Sequence, residues 1–297
     1  MTTASLRVTF GEPADAVLRF SFDGESDAIA VHCPRLAGPA LPENWLGDAS
    51  ACSIIVLSVP ETDGDIETAA REGYRQLLER LRDSGHPHLI RIWNYLDAIN
   101  EGEGDAERYR RFCVGRAAAI DAAALDGPPP AATAIGHPYR SGQLHLIALC
   151  GAEPALALEN PRQMPAWTYP RDYGPVSPGF SRGALIGEGD NLRLLASGTA
   201  SIVGHRSLHP GDAVAQMHEA LENLAALLQQ AHRTSGRSFQ PERCEALRVY
   251  LRDPADLPAI TAVLAASNIP QSAIVFLHGD ICRRELLVEL EGVFAAA

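Results

Sequence analysis

The feature that most constrains the fold of this 297-residue chain is one pattern of apolar runs that occurs twice. Each half combines short continuous apolar runs, typical of buried strands, with longer segments whose apolar residues recur at helical spacing. In the first half, these runs predict strands at 51–58, 88–96, 133–139 and 143–150, and helices at 66–82 and from about Asp105. The resulting order is β-α-β-α-β-β.

The second half repeats this order. It predicts strands at 192–203, 246–253, 272–279 and 285–294, and helices from about Asp212 and from Asp253-Pro254. An Asp before a Pro at the first helical position is a good start signal for a helix. An ungapped offset of 139 residues places Thr133 over Ser272 and Cys150 over Glu289, which indicates an internal duplication.

The repeat predicts an α/β (α+β) protein with two related lobes. We expect residues 1–152 to form the first lobe, 183–297 to form the second, and 153–182 to form the loop between them. This loop is rich in Pro, Arg and aromatic residues and has no periodicity, so we expect a rigid segment that contributes to a functional site.

Charge and composition exclude several classes of function. The net charge of −12 argues against binding of nucleic acid or of an anionic membrane surface, because both require a basic face. No run approaches the roughly 18 apolar residues of a membrane span, and the N-terminus lacks an apolar signal segment, so we expect a cytoplasmic protein. All 25 basic residues are Arg, which excludes Schiff-base chemistry, a pyridoxal phosphate anchor and a P-loop. The oligomeric state stays open.

Clusters of arginine and aromatic residues predict a binding pocket. They comprise Arg91, Trp93 and Tyr95 on one strand face, Arg248, Tyr250 and Arg252 on another, and Tyr169, Arg171, Tyr173 and Arg182 in the interlobe loop. Exposed strand faces would explain any one cluster, but Arg also binds carboxylates in bidentate fashion and Tyr hydroxyls supply further donors. Glu289 lies on a mixed face of the closing strand, with Leu287, Glu291 and Val293. Together they predict a pocket for a small ring that carries carboxylates.

Two motifs suggest other chemistry. Residues 179–183, GFSRG, match the G-x-S-x-G motif of serine hydrolases, with Ser181 as the nucleophile. A nucleophile elbow requires a strand before the motif and a helix directly after it, and the flanking sequence predicts neither. His205 and His209 have a loop spacing that could hold a metal, but the sequence offers no third ligand nearby, and the six cysteines have no metal-ligand spacing.

Several long motifs carry a family resemblance. The stretches ENPRQMPAWTYPRDYGPVSPGFSR and GDICRRELLVELEG, together with RIWNYLDAINEGEGDAERYRRFCVGRAAAI, resemble the chorismatases over nearly the full length. The second half also resembles the reactive-intermediate-deaminase (Rid) fold. Rid deaminases carry an Arg on the penultimate strand, where this chain has Ile274, so we do not expect imine deamination. The first lobe, with Cys150 aligned to Glu289, is expected to act as scaffold rather than to carry a second active site, so we expect one site near the junction of the lobes.

The resemblance implies an enzyme that removes the enolpyruvyl group of chorismate as pyruvate, without metal or cofactor. The family's general acid, a Glu in the closing strand, corresponds to Glu289. The aromatising members have a Cys seven residues earlier, here Cys282, which implies 3-hydroxybenzoate as product, with 4-hydroxybenzoate as a second product left open. Candidate substrate-binding residues are Arg182, Tyr169, Tyr173 and Arg248. The alternatives are a hydrolase that releases a dihydroxycyclohexadiene carboxylate and a non-catalytic Rid-like regulator that binds an aromatic acid.

Overall fold

The computed structural model of the protein describes residues 6–10, 17–22, 31–39, 52–123, 127–137 and 140–297. Ala51, Pro138 and Tyr139, which belong to two of the predicted strands, lie outside the described residues. Among the helices in the described ranges, none has both the length and the apolar character that crossing a membrane would require.

The first half of the chain supplies eight strands and two α-helices within the described ranges. They are β1 (Leu6–Phe10), β2 (Val17–Phe22), β3 (Val31–His32), β4 (Arg35–Ala37), β5 (Cys52–Pro60), α1 (Ile66–Asp83), β6 (His88–Asp97), α2 (Arg108–Ala122), β7 (Ala131–His137) and β8 (Gln143–Gly151). From β5 onward the order is β-α-β-α-β-β, as predicted.

The second half repeats that order after two short strands. Its elements are β9 (Leu156–Leu158), β10 (Gly183–Ile186), β11 (Arg193–Ala200), β12 (Ile202–Val203), β13 (Arg206–Ser207), α3 (Ala213–Ser235), β14 (Phe239–Leu251), α4 (Leu257–Ala265), β15 (Ile274–His278), β16 (Asp280–Ile281) and β17 (Val288–Ala296). The predicted fold class, α/β with two β-α-β-α-β-β lobes, is confirmed.

Two mixed sheets organise the described part of the chain. The first has the order β16-β7-β6-β8-β5, and the second has the order β4-β15-β14-β17-β11-β10-β9. In each, one parallel pair, β6 with β7 or β14 with β15, lies beside antiparallel pairs. We call the first sheet with α1 and α2 the first lobe, and the second sheet with α3 and α4 the second lobe. Strands β4 and β16 cross over, since each pairs with the sheet of the other lobe.

The sheets pack face to face, and the helices cover their outer faces. Helices α1 and α2 pack on the first sheet, and α3 and α4 pack on the second. A separate apolar cluster lies between the sheets and combines Trp93 and Tyr95 of the first lobe with Tyr250 and Val293 of the second. Because every second residue of a strand points to the same side, each central strand has one face under helices and one face toward the other lobe.

The sequence explains where the long helices begin and end. Asp65 and Asp212 cap α1 and α3, since each carboxylate accepts a hydrogen bond from a backbone N–H in the first turn. Gly236 ends α3 in the left-handed conformation, with φ of 73°, which only glycine adopts without cost. The apolar stripes predicted for these helices are buried against the sheets.

Several predicted element boundaries differ from the structure, and the largest difference is that β14 begins at Phe239 and not at 246. The second helix begins at Arg108, because Asp105 lies in a separate 3-10 turn. Asp253 caps a 3-10 turn at Pro254–Asp256, and α4 follows from Leu257. The run at 192–203 is divided between β11 and β12.

The ungapped offset of 139 residues is wrong for the last strand of each lobe, because it aligns residues that lie on opposite faces of their strands. Cys150 packs under the helices of the first lobe, whereas Glu289 points between the lobes. Ile147, three residues before Cys150, lies in the apolar cluster between the sheets, so the face of β8 opposite to Cys150 is the one that corresponds to the Glu289 face of β17. A slip of one residue moves every side chain of a strand to the opposite face, which is why the ungapped alignment failed.

Candidate active site

A cavity of about 270 Å³ lies where the two lobes meet. Helix α2 and strand β7 form one wall, and the interlobe loop, β11 and the segment from Cys282 to Glu289 form the other. Residues with functional groups at this cavity are Asn94, Glu103, Glu107, Tyr109, Arg110, Arg116, Thr133, Gln163, Tyr169, Asp172, Tyr173, Arg182, Cys282, Arg283, Arg284, Glu285 and Glu289. The size and the mixture of apolar walls with a few polar groups are typical of a small-molecule site.

Glu289 is the buried acid of the cavity. Its residue is only 4% exposed, and it projects from β17 toward Gly198 on the neighbouring strand β11. A Cβ atom at position 198 would collide with Glu289 Oε1, so glycine is required for the carboxyl group to occupy this place. Burial and, next to it, the negative charge of Glu291 raise the pKa of Glu289 to about 8, against the lowering effect of Arg91 and Arg182. Glu289 is therefore protonated at neutral pH.

Glu291, two residues further along the same strand face, is held as an anion. It forms buried ion pairs with Arg91 and with Arg248, whose Nη1 lies 2.8 Å from Glu291 Oε1. It also accepts hydrogen bonds from Thr133, from the Tyr250 hydroxyl at 3.0 Å and from Trp93 Nε1 at 3.2 Å. Although burial opposes ionisation, the two arginines lower the pKa of Glu291 below its ordinary value. One strand face thus carries a neutral carboxyl group beside a charged one.

Three arginines face the cavity without a carboxylate partner among the described residues. Arg116 and Arg182 are each 4% exposed, and Arg283 is partly buried. Arg182 donates hydrogen bonds to the Tyr169 hydroxyl at 2.6 Å and to the Met164 carbonyl at 2.9 Å. Buried charges in proteins are normally paired, so these three arginines are candidates to bind negatively charged groups of a ligand. Arg110 and Arg284 at the same cavity are instead paired with Glu107 and Glu103.

Arg283 illustrates how these cations are positioned. Its guanidinium group stacks over the Tyr173 ring, 4.1 Å from the centroid, and over the Tyr169 ring, at 5.2 Å. Its Nη1 donates to the carbonyl of His205 at 2.9 Å and to Ser207 Oγ at 3.0 Å, while its buried Nη2 has no hydrogen-bond partner. The Arg283 guanidinium group is thus held in one orientation with Nη2 free to donate, which suits it to bind a ligand carboxylate.

The interlobe loop is fixed in place by contacts to both lobes. Arg171 forms a bidentate ion pair with Asp105, at 2.8 and 2.5 Å. The rings of Tyr169 and Tyr173 lie 5.3 Å apart, and the Tyr173 hydroxyl is 3.1 Å from His205 Nδ1. These contacts hold both tyrosines at the cavity, as expected for a rigid loop.

Cys282 lies on the wall of the cavity, just after β16. Its side chain packs against the apolar clusters of both lobes. Burial, and next to it the charge that Glu289 carries once it is ionised at alkaline pH, raise the pKa of the Cys282 thiol far above its ordinary value. Cys282 is therefore a neutral thiol, which can shape the cavity and donate a weak hydrogen bond but is not an activated nucleophile.

The structure brings together five of the six residues predicted for the site. Glu289, Cys282, Arg182, Tyr169 and Tyr173 all line the cavity. Arg248 does not line it, because its strand face points between the sheets, where its guanidinium binds Glu291. A strand pattern predicts which residues share a face but does not identify what that face meets.

Several residues at the cavity were missed from the sequence. Arg116 and Tyr109 lie on α2, Thr133 lies on β7, and Arg283 directly follows Cys282. The first lobe thus supplies one wall of the cavity at the junction of the lobes. Two of these residues lie in motifs that carry the family resemblance: Arg116 ends RYRRFCVGR, and Arg283 is the first Arg of ICRREL. Nothing else in the sequence distinguishes them from the neighbouring arginines.

The geometry does not favour the alternative nucleophile. Ser181 is fully buried, and its hydroxyl donates to the carbonyl of Pro129 at 2.5 Å. The residues after it form strand β10, whereas a nucleophile elbow is followed by a helix. Ser181 therefore serves a structural role in the contact between the loop and the first lobe.

Known proteins are similar to this chain along most of its length. The family described as "Chorismatase FkbO/Hyg5-like, N-terminal" matches residues 44–150. A chorismatase from Streptomyces hygroscopicus is 38% identical over 291 residues, which cover 96% of this chain and 84% of the relative. A 3-hydroxybenzoate synthase from the same organism is 36% identical over 244 residues, 79% of this chain and 71% of the relative. A chorismatase crystal structure has a TM-score of 0.79 at 32% identity and covers 99% of this chain and 89% of that chain. This chain therefore belongs to the chorismatase family.

Proposed function

We propose that this protein cleaves the enolpyruvyl ether of chorismate and releases pyruvate and 3-hydroxybenzoate. The observation that carries the proposal is a protonated Glu289 in a cavity that also holds three arginines without carboxylate partners among the described residues. Chorismate has two carboxylates and an acid-labile enol ether, so both features have a use. The reaction is a rearrangement with elimination that consumes no water overall.

Glu289 acts as the general acid. Protonation of the terminal methylene carbon converts the enol ether into an oxocarbenium ion, and the pair of electrons in the C=C bond forms the new C–H bond. Carbon protonation is slow, so the reaction requires an acid that is still protonated near neutral pH and is aimed at that carbon. Burial of Glu289 meets the first requirement, and its placement against Gly198 fixes its direction.

The arginines hold the two substrate carboxylates. Arg182, positioned by the Tyr169 hydroxyl, and Arg283, stacked on Tyr173, lie on the second-lobe side of the cavity. Arg116, which lies over the Phe112 ring at 5.4 Å, is on the opposite wall. Cations on opposite walls match the separated carboxylates of the ring and the enolpyruvyl group, and they orient the methylene carbon toward Glu289.

The ring's own hydroxyl group then adds to the oxocarbenium carbon and returns its proton to the Glu289 carboxylate, which gives a cyclic ketal. The ring carbon that bears the ether oxygen loses its proton while the C–O bond at the neighbouring ring carbon breaks, and the departing oxygen takes up that proton. The aromatic hemiketal then collapses to pyruvate and 3-hydroxybenzoate. We assign Cys282 the role of directing this step, because it fills the wall beside Glu289 and excludes water there. The relative that is 36% identical and described as a 3-hydroxybenzoate synthase supports this product. Attack by water instead would give the dihydroxycyclohexadiene carboxylate, and a different rearrangement would give 4-hydroxybenzoate.

The test is an assay with purified protein and chorismate in chelator-treated buffer. Pyruvate is followed with lactate dehydrogenase, and the ring product is identified by liquid chromatography against the three standards. Equal amounts of pyruvate and 3-hydroxybenzoate support the full proposal. Pyruvate with the diol retains Glu289 as the acid but overturns the role of Cys282, and binding of chorismate without release of pyruvate overturns the enzyme assignment.

A further inference from the structure

Glu291 has no contact with the main cavity, yet it is one of the most strongly held side chains of the protein. Its carboxylate receives five hydrogen bonds or ion pairs, from Arg91, Trp93, Thr133, Arg248 and Tyr250. An ion pair buried between two lobes gains little stability over apolar packing, because both charges lose their hydration. We therefore ask what function, other than stabilising the fold, the charge of Glu291 has.

The position of Glu291 relative to Glu289 indicates that purpose. The two residues share one face of β17 and are two positions apart, so their Cα atoms are roughly 6.5–7 Å from each other. The two residues are almost equally buried, since Glu289 is 4% exposed and Glu291 is 3% exposed. At this separation and in this environment, a fixed negative charge strongly disfavours a second one.

We propose that Glu291 is a positioning residue whose negative charge, fixed by Arg91 and Arg248, keeps Glu289 protonated for the reaction. This inference rests on the proposed function, since it concerns the same acid. The arginines of this cluster, of which Arg91 acts on Glu289, would alone have the opposite effect and would favour an ionised Glu289. Glu291 offsets them, so the cluster holds its structure while leaving the neighbouring carboxyl group neutral.

Other titratable and charged groups also face Glu289 and affect its ionisation. From the first lobe, Arg91 of β6 and Tyr109 of α2 act on it, and from the second lobe, Arg182 of the interlobe loop and Cys282 do so. Tyr109 and Cys282 are neutral, because burial raises the pKa of each. Two cations therefore favour ionisation of Glu289, and burial together with Glu291 opposes it.

Thr133 connects the two carboxyl groups mechanically. Its hydroxyl donates to Glu291 and accepts a hydrogen bond from the backbone N–H of Gly198, at 3.0 Å. Gly198 is the residue against which Glu289 packs. The anion thus also holds the backbone that positions the acid.

The test compares pH profiles of kcat/KM for pyruvate release in variants that change one charge. In Glu291→Gln, the loss of the anion leaves Arg91 and Arg248 uncompensated, so the alkaline decline in activity moves down by about one pH unit or more. In Arg91→Gln, a cation is lost, so the decline moves up. Exposed Glu245, which pairs with Arg193, supplies the control, and Glu245→Gln leaves the profile unchanged.

A direct readout separates this inference from the proposed function. Infrared difference spectroscopy follows the protonated carboxyl band of Glu289, assigned by its absence in Glu289→Gln, and requires no turnover of chorismate. Titration at lower pH in Glu291→Gln and at higher pH in Arg91→Gln supports the inference even if chorismate is not the substrate. An unchanged titration in either variant, or shifts in the same direction in both, overturns it. If Glu291→Gln does not fold, the same titration of Glu291→Met decides the question, because a downward shift supports the inference and an unchanged titration overturns it.

Discussion

Glu289 and Glu291 project from the same face of β17, but only Glu291 is bound by arginines. Glu289 instead faces the cavity and is packed against Gly198. Because their surroundings differ, Glu291 is an anion and Glu289 is a protonated acid, although the two side chains are chemically identical. Pairs of carboxyl groups whose environments separate their pKa values are a recurrent basis for acid catalysis.

Replacement of the acid should abolish chemistry and retain binding. We expect Glu289→Gln to lower kcat for pyruvate release by roughly 10²–10⁴-fold, because Gln has the same shape but no proton to give. Affinity for chorismate, measured by calorimetry, should remain within a few-fold of wild type, since the arginines are unchanged. Loss of binding together with loss of turnover would assign Glu289 to the binding of substrate.

The pH dependence of the reaction follows from the raised pKa of Glu289. Because the acid form is active, kcat/KM should be high below about pH 8 and fall about tenfold per unit above it. The profile is measured from about pH 5 to about pH 10 by the coupled pyruvate assay, with the coupling enzyme in excess. An enzyme that gains activity as pH rises through this range would require Glu289 to act as a base.

Burial of Glu289 should also affect stability. Its pKa is about 8 in the folded protein and ordinarily 4.5, so the folded state binds the extra proton between these values and loses stability as pH rises through them. Glu289→Gln does not have this penalty. We expect its free energy of unfolding to exceed that of wild type by about 1–4 kcal/mol near pH 9, with a much smaller difference near pH 5. Urea titrations at both pH values test this, and a difference independent of pH would contradict it.

The arginines without carboxylate partners among the described residues should favour binding at the expense of stability. We expect Arg283→Met to lower kcat/KM by roughly 10–100-fold, mainly through KM, because one clamp on a substrate carboxylate is lost. The melting temperature without substrate should stay level or rise, because a partly buried cation is replaced by an apolar group. Arg237→Met, at an exposed ion pair with Asp190, is the control and should leave kinetics unchanged. Unaltered KM in Arg283→Met would remove this residue from the site.

Cys282 should govern the ring product and leave the first step intact. In Cys282→Ala, we expect pyruvate release to continue while part of the ring product changes from 3-hydroxybenzoate to the diol, because the smaller side chain admits water. Cys150→Ala is the matched control, since Cys150 is buried under the helices of the first lobe. It should cost stability without a change in product. An unchanged product ratio in Cys282→Ala would refute the steering role.

The element order of the fold could be predicted because each strand and helix carries its own periodicity. The pairing of the halves could not, since sequence similarity alone does not fix which face of a strand is inward, and Cys150 was aligned to Glu289 although the two lie on opposite faces. The short 3-10 turns before α2 and α4 were also missed, because their residues resemble a helix start.

The site was predictable where a family motif carried it and not where it depended on contacts between lobes. The pattern on β14 correctly placed Arg248 and Tyr250 on one face. The partner of that face, Glu291, became evident only from the pairing of β14 with β17, in which Arg248 is in register with Glu291. Arg116 was missed because it lies on a helix whose sequence has little amphipathic contrast, and it reaches the cavity only once the lobes are assembled.

Incorporation of solvent deuterium into pyruvate is the most direct test of whether Glu289 protonates the methylene carbon of chorismate. The reaction is run in D₂O with lactate dehydrogenase and NADH present, so that pyruvate is trapped as lactate before its methyl group exchanges. We expect one deuterium in the methyl group with wild-type protein and, in the same time, roughly 10²–10⁴-fold less labelled product with Glu289→Gln. Pyruvate whose methyl group contains no solvent deuterium, or full labelling by Glu289→Gln, would contradict it.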